Sequence, residues 1–167
     1  MNDKFSYTGV VTLVERVNNK IVSKRYYNNG ENRLFEAYAR ALSGQPITNY
    51  IPQYINIFDS DDNQVNTNPI PVIVNYKDTD TDGGNYGVPY TRVSVIILKN
   101  MINIKTSNSE TETEGEKIKL YSSSTANEDT LLASTNINGI LGTINGMASG
   151  VQLIVLWDLY VKNGGNE

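Results

Sequence analysis

The chain has 167 residues, 18 acidic and 14 basic side chains, and neither cysteine nor histidine, which excludes disulfides, thiol nucleophiles, thiolate zinc sites and histidine-dependent hydrolysis. A net charge of −4 with scattered cations argues against nucleic acid, because phosphate binding needs clustered positive charge. The apolar windows VSVIILKNMI and VQLIVLWDLYV are too short to cross a membrane, and the start MNDKFSYTG lacks the apolar stretch of a secretory signal, so one soluble, unprocessed domain over residues 1–167 is expected.

Residues 6–27, SYTGVVTLVERVNNKIVSKRYY, read as a hairpin of two β-branched runs turning at Asn18 and Asn19, a residue type that tolerates the positive φ of a tight turn. NNGENRLFEAYARALSGQP then predicts a helix near residues 31–43. Leu34, Phe35, Tyr38, Ala41 and Leu42 share one face, which is expected to dock on a sheet. Arg33, Glu36 and Arg40 take the solvated side, and Gly44 with Pro46 ends the helix.

The rest predicts strands and loops. YINIF at 54–58 is a short strand, and IPVIVNY at 70–76 is another, with Pro71 near its start or on an exposed edge because proline cannot donate to a ladder. Residues 90–106, YTRVSVIILKNMINIKT, form one long strand or two that meet at Lys99 and Asn100. KIKLYSS and TLLASTNI offer two more, joined by the turn residues STANEDT. The closing VQLIVLWDLYVKN, 151–163, has Val151, Leu153, Val155, Trp157, Leu159 and Val161 on one face and Ile154, Leu156 and Tyr160 on the other. A strand apolar on both faces belongs in the centre of a sandwich or between subunits.

Two acidic stretches invite a test for calcium. In DTDTDGG, Asp78, Asp80, Asp82 and Gly83 match the first half of a calcium loop, but position 12 is Pro89, where a bidentate glutamate is needed. DSDDN, 59–63, places Gln64 at position 6 and Ile70 at position 12. Both read as turns, and no metal or cofactor is expected. SNSETETEGE, 107–116, brings together Glu110, Glu112, Glu114 and Glu116 without an apolar neighbour, Glu128 lying further on; it reads as a solvated loop. GILGTINGMASG, 139–150, has four glycines and no phosphate-loop lysine. It reads as a flexible surface loop, or one that orders against a neighbour.

Eight or so short strands and one early helix predict a mainly β fold, an antiparallel β-sandwich decorated by that helix. The order of the pieces carries a resemblance: NNGENRLFEAYARALSG, then IPQYINIFDSD, VPYTRVSVIIL and LLASTNI, then the terminal strand with Gly150, Leu153, Val155, Trp157 and Leu159. Over most of residues 7–162 this resembles the small virion structural proteins of tailed bacteriophages. The resemblance implies a non-enzymatic part of the virion, such as a capsid decoration protein, a head-fibre anchor or a tail component. Its expected partners are the major capsid protein, head-fibre or tail proteins and further copies of itself, with neither nucleic acid nor membrane among them.

Eleven tyrosines, Tyr26, Tyr27, Tyr38, Tyr50 and Tyr54 among them, suit such contacts. The candidate contact regions are the glycine-rich stretch 139–150 and the aromatic strip 50–58. Two other functions fit the composition. A carbohydrate-binding β-sandwich would stack sugars on Trp157 and surface tyrosines and hold a structural calcium at Asp78, Asp80 and Asp82. A glycosidase would need two carboxylates flanking a cleft, and no pair in the sequence singles itself out.

Overall fold

The computed structural model describes residues 5–16, 20–27, 32–78, 87–103 and 114–163. Among these, the chain runs through β1 (Phe5–Glu15), β2 (Lys20–Tyr27), α1 (Asn32–Leu42), β3 (Tyr54–Phe58), β4 (Ile70–Pro71), β5 (Ile73–Lys77), β6 (Tyr90–Leu98), β7 (Lys117–Tyr121), β8 (Leu131–Asn136), α2 (Ile140–Gly146) and β9 (Gln152–Asn163). Short 3-10 turns at Thr48–Tyr50 and Lys99–Met101 follow α1 and β6. The strands build two antiparallel sheets, ordered β2-β1-β9-β6-β5 and β4-β3-β7-β8. This is the expected β-sandwich, with its helix at the expected place.

The two-faced apolar strand β9 lies at the centre of the five-stranded sheet, between β1 and β6. Its inner residues Leu153, Val155, Trp157 and Leu159 meet Ile55 and Ile57 of β3, Ile118 and Leu120 of β7 and Leu132 of β8 in one continuous core. Alternation of side chains along each strand produces this core from sequence pattern alone. β1 and β9 stay in register from Phe5 opposite Asn163 to Glu15 opposite Leu153, so the first and last described strands are neighbours in one sheet.

Four expectations need correction. First, the glycine-rich stretch is no surface loop: Ile140, Leu141 and Ile144 of α2, with Met147, are core residues. Each glycine costs a helix about 1 kcal/mol, but burying three large apolar side chains outweighs that cost, at roughly 1.5–3 kcal/mol apiece. Gly139, at φ 84°, supplies the left-handed conformation from which α2 begins.

Second, Glu116 is buried rather than solvated. Its Oε2 accepts the Leu141 N–H at 3.2 Å, and its main-chain oxygen accepts the Ile137 N–H at 2.8 Å; it fastens the start of α2 to β7. Residues 107–113 of that acidic stretch lie outside the described residues. Third, only Leu34 of the predicted apolar stripe of α1 is buried, while Phe35, Tyr38, Ala41 and Leu42 are exposed, Leu42 at 73%. α1 touches the sandwich along β8.

Fourth, residues 70–76 do not form one strand. Ile70 and Pro71 pair with β3 in one sheet, Val72 donates to the Gln53 carbonyl, and β5 continues in the other sheet. The run turns a corner of the sandwich, with Pro71 on an edge strand as its missing donor requires. Of the two options left open for 90–106, the structure takes the break: β6 ends at Leu98, the 3-10 turn follows, and Ile102 bridges Asn66. The Asn18–Asn19 turn lies outside the described residues.

Candidate interaction surfaces

The acidic segment DSDDN serves the fold. Asp59 follows β3 and is buried; its Oδ1 accepts the N–H groups of Asp61 (3.0 Å) and Asn63 (2.9 Å), and its Oδ2 accepts from Asn63 Nδ2 at 3.3 Å. These bonds give both oxygens of the buried carboxylate a partner within the turn. The same turn sets Asp62 at φ 63° and pairs its carboxylate with Lys117, which holds that carboxyl below its ordinary range. Beyond it, buried Asn66 accepts from Ile57 N–H and donates to Asn56 Oδ1 and Asn68 O, with distances of 2.8–2.9 Å. Of the second acidic stretch only Asp78 is described, exposed just past β5; Asp80, Asp82 and Gly83 lie outside. Among the described residues no three His, Cys, Asp or Glu side chains gather where they could share a metal ion.

α1 and the 3-10 turn after it form a polar and aromatic contact. Tyr50 donates its hydroxyl to Glu36 Oε1 at 2.6 Å and lies under the guanidinium groups of Arg33 (4.7 Å) and Arg40 (5.2 Å). Arg40 also pairs with Glu36 one turn earlier, and Arg33 donates to the Asn49 carbonyl at 3.0 Å. The residues read as a solvated charged face thus clasp the turn that leads into β3. The Tyr50 hydroxyl, and after it Arg40, hold the Glu36 carboxyl below its ordinary range.

The outer face of the five-stranded sheet is partly apolar. Ile96 of β6 stands opposite Ile154 of β9, which stands opposite Val14 of β1. In the next row Ile73 of β5, Ser94, Leu156 and Thr12 follow across the strands. Ile73 is 62% exposed and Ile96 40%, with Ile154, Leu156 and Val14 half-buried. Toward the other end of this face, Tyr90 stacks on Tyr160 with ring centroids 4.7 Å apart, and Val10 joins them in a small second cluster. Beside them Arg92 grips buried Asp158 with two bonds, Nε to Oδ1 at 2.7 Å and Nη2 to Oδ2 at 2.9 Å.

At one end of the sandwich two half-open hollows of about 470 Å³ each flank Leu98 and Asn100. Pro69, Ile70, Pro71 and Met101 line one, and Ser149, Gly150 and Val151 line the other. Lys99, beside the second, gives its ammonium to the carbonyls of Asn145 (2.7 Å) and Met147 (3.3 Å). The hollows therefore present mainly apolar and neutral groups.

Trp157 is 1% exposed and sits in the core; it cannot stack on a sugar ring. Of the strip 50–58, Tyr50, Tyr54 and Phe58 are half-buried and Ile51 is exposed. The side chains of Tyr26 and Tyr27 lie outside the described residues. Among the described residues the most exposed tyrosine is Tyr76, at 72%, on edge strand β5, which sequence reasoning had not singled out. Its signal was a short strand next to prolines, which marks an edge.

The architecture places this chain in the class of two-sheet antiparallel β-sandwiches. Comparison with protein-family models, curated proteins and solved structures finds no match.

Proposed function

We propose that the protein is a non-enzymatic structural subunit of a tailed-bacteriophage virion, decorating the capsid or anchoring a head fibre, and that it works through protein–protein contacts. A tail or baseplate part is the alternative place in the same particle. The observation that carries the reading is the apolar outer face of the five-stranded sheet, where Ile73 and Ile96 stand in solvent across neighbouring strands. Contiguous apolar surface of this kind marks contact sites, and it supports the resemblance drawn from the order of the sequence segments. The carbohydrate-binding reading loses Trp157 as its platform and keeps only exposed tyrosines such as Tyr76.

The test is immunogold electron microscopy with an antiserum to the protein, on phage particles purified from cells that carry its gene. Label on heads, or on tails for the alternative, is the expected result. Protein confined to the fraction free of particles would sink the proposal.

A further inference from the structure

We propose that two copies of this chain join edge to edge through β5, in antiparallel register about a two-fold axis at Asn75, fusing their five-stranded sheets into one continuous sheet of ten strands. This does not depend on the virion reading.

Among the described residues the two sheets have four edges, and three are guarded. β2 is paired to β1 through a bulge at Leu13/Val14. β4 is two residues long and contains Pro71. β8 has α1 lying against it. Bulges, short proline-bearing strands and covering helices are the devices by which proteins keep sheet edges from pairing. Among the described residues β5 has none of these three. It pairs with β6 over Ile73–Lys77 without a register shift, has no proline within it, and carries one charge, Lys77, at its end. Ile73, Asn75 and Tyr76 are exposed along it. Alternate residues of an antiparallel edge strand turn their N–H and C=O groups away from the sheet, and another strand satisfies them.

The side chains select a second copy as that strand, and select the register. With Asn75 opposite Asn75 of the second copy, Val74 faces Tyr76 twice, an aromatic and β-branched pair that stabilises sheets. Ile73 then faces Lys77, whose aliphatic stem can cover it, and no like charges meet. A two-fold axis perpendicular to the sheet sets both outer apolar faces on the same side, so that pairing doubles the face offered to a further partner.

The cysteine-free chain allows a clean test. Residues directly opposite in antiparallel strands have Cα atoms about 4.5–5.5 Å apart, within disulfide range. Asn75→Cys treated with diamide, which takes up the two thiol hydrogens, is expected to form a covalent dimer on a denaturing gel, while Ser124→Cys in an exposed turn is expected to run there as a single chain. By sedimentation the unmodified protein is expected to be a dimer. Ile73→Lys, which sets like charges opposite each other at a solvent-exposed position, is expected to be a folded monomer, and Ile73→Glu to remain a dimer. A monomeric native protein overturns the proposal. So does a dimer or trimer in which Asn75→Cys crosslinks no better than Ser124→Cys, or one that Ile73→Lys leaves intact.

Discussion

Replacing Arg92 by methionine should be among the most damaging single changes outside the core proper. Asp158 sits on the central strand β9, and its side chain is 4% exposed against 24% for that of Arg92. The two residues are directly opposite across β6 and β9, and their double hydrogen bond raises the pKa of the guanidinium further above its ordinary value. Removing the arginine strands a carboxylate in a site it cannot leave. Breaking a buried pair from one side costs about 3–5 kcal/mol, and the partial exposure here points to the lower end, about 3 kcal/mol. For a chain of this size that is a fall in melting temperature of roughly 6–12 °C.

Asp158→Asn should cost less, about 1 kcal/mol, because the orphaned guanidinium can reach water and the amide oxygen still accepts a bond. Urea unfolding of Arg92→Met, Asp158→Leu and the double variant closes the cycle. The double variant should recover most of the loss, since no charge remains buried. The reasoning is refuted if Arg92→Met costs under about 1 kcal/mol, if Asp158→Asn costs as much as Arg92→Met, or if the two single effects simply add.

Asp59→Ala should destabilise by about 1–3 kcal/mol, because it frees buried donors, and Asp59→Asn by less, since it keeps one acceptor oxygen; chemical denaturation distinguishes the two. Trp157→Ala should cost about 3–5 kcal/mol. As the sole tryptophan, Trp157 should also emit at short wavelength until unfolding shifts it to the red, and oligosaccharides should leave its emission unchanged. Glu36 has a depressed pKa, so its contacts with Tyr50 and Arg40 contribute above the usual glutamate range and vanish as the pH falls through the lowered value. Carbon NMR should find that Tyr50→Phe moves the Glu36 titration back up, since the Tyr50 hydroxyl is the largest cause of the shift. Calcium and chelator should give the same melting temperature by calorimetry; a rise with calcium would restore Asp78, Asp80 and Asp82 as ligands.

Most of the strand plan was legible because each strand carries a local pattern. YINIF became β3 without adjustment, and of the two places that the apolar faces of 151–163 left open, the centre of a sandwich or a subunit boundary, the strand takes the centre of its sheet. The helix near 31–43 was legible from its spacing and its closing glycine. Its burial was not, since an amphipathic stripe says which residues lie together and nothing about what covers them. The glycine-rich stretch misled for the opposite reason: local propensity argued against a helix, and the burial of Ile140, Leu141 and Ile144 in the core decided for one.

The sequence by itself determined the fold class, the lack of thiol and imidazole chemistry, and the failure of both acidic loops to complete a calcium motif, since these follow from composition and short-range spacing. Only the tertiary structure decided that Asp59 and Glu116 bind main-chain donors, that Arg92 meets Asp158, and that β5 is an edge strand of the larger sheet. Arg92 and Asp158 are separated by 66 positions, and no local pattern encodes which strands become neighbours. That choice arises when two sheets bury their inner faces together, and with it the edges and outer faces of the sheets are set.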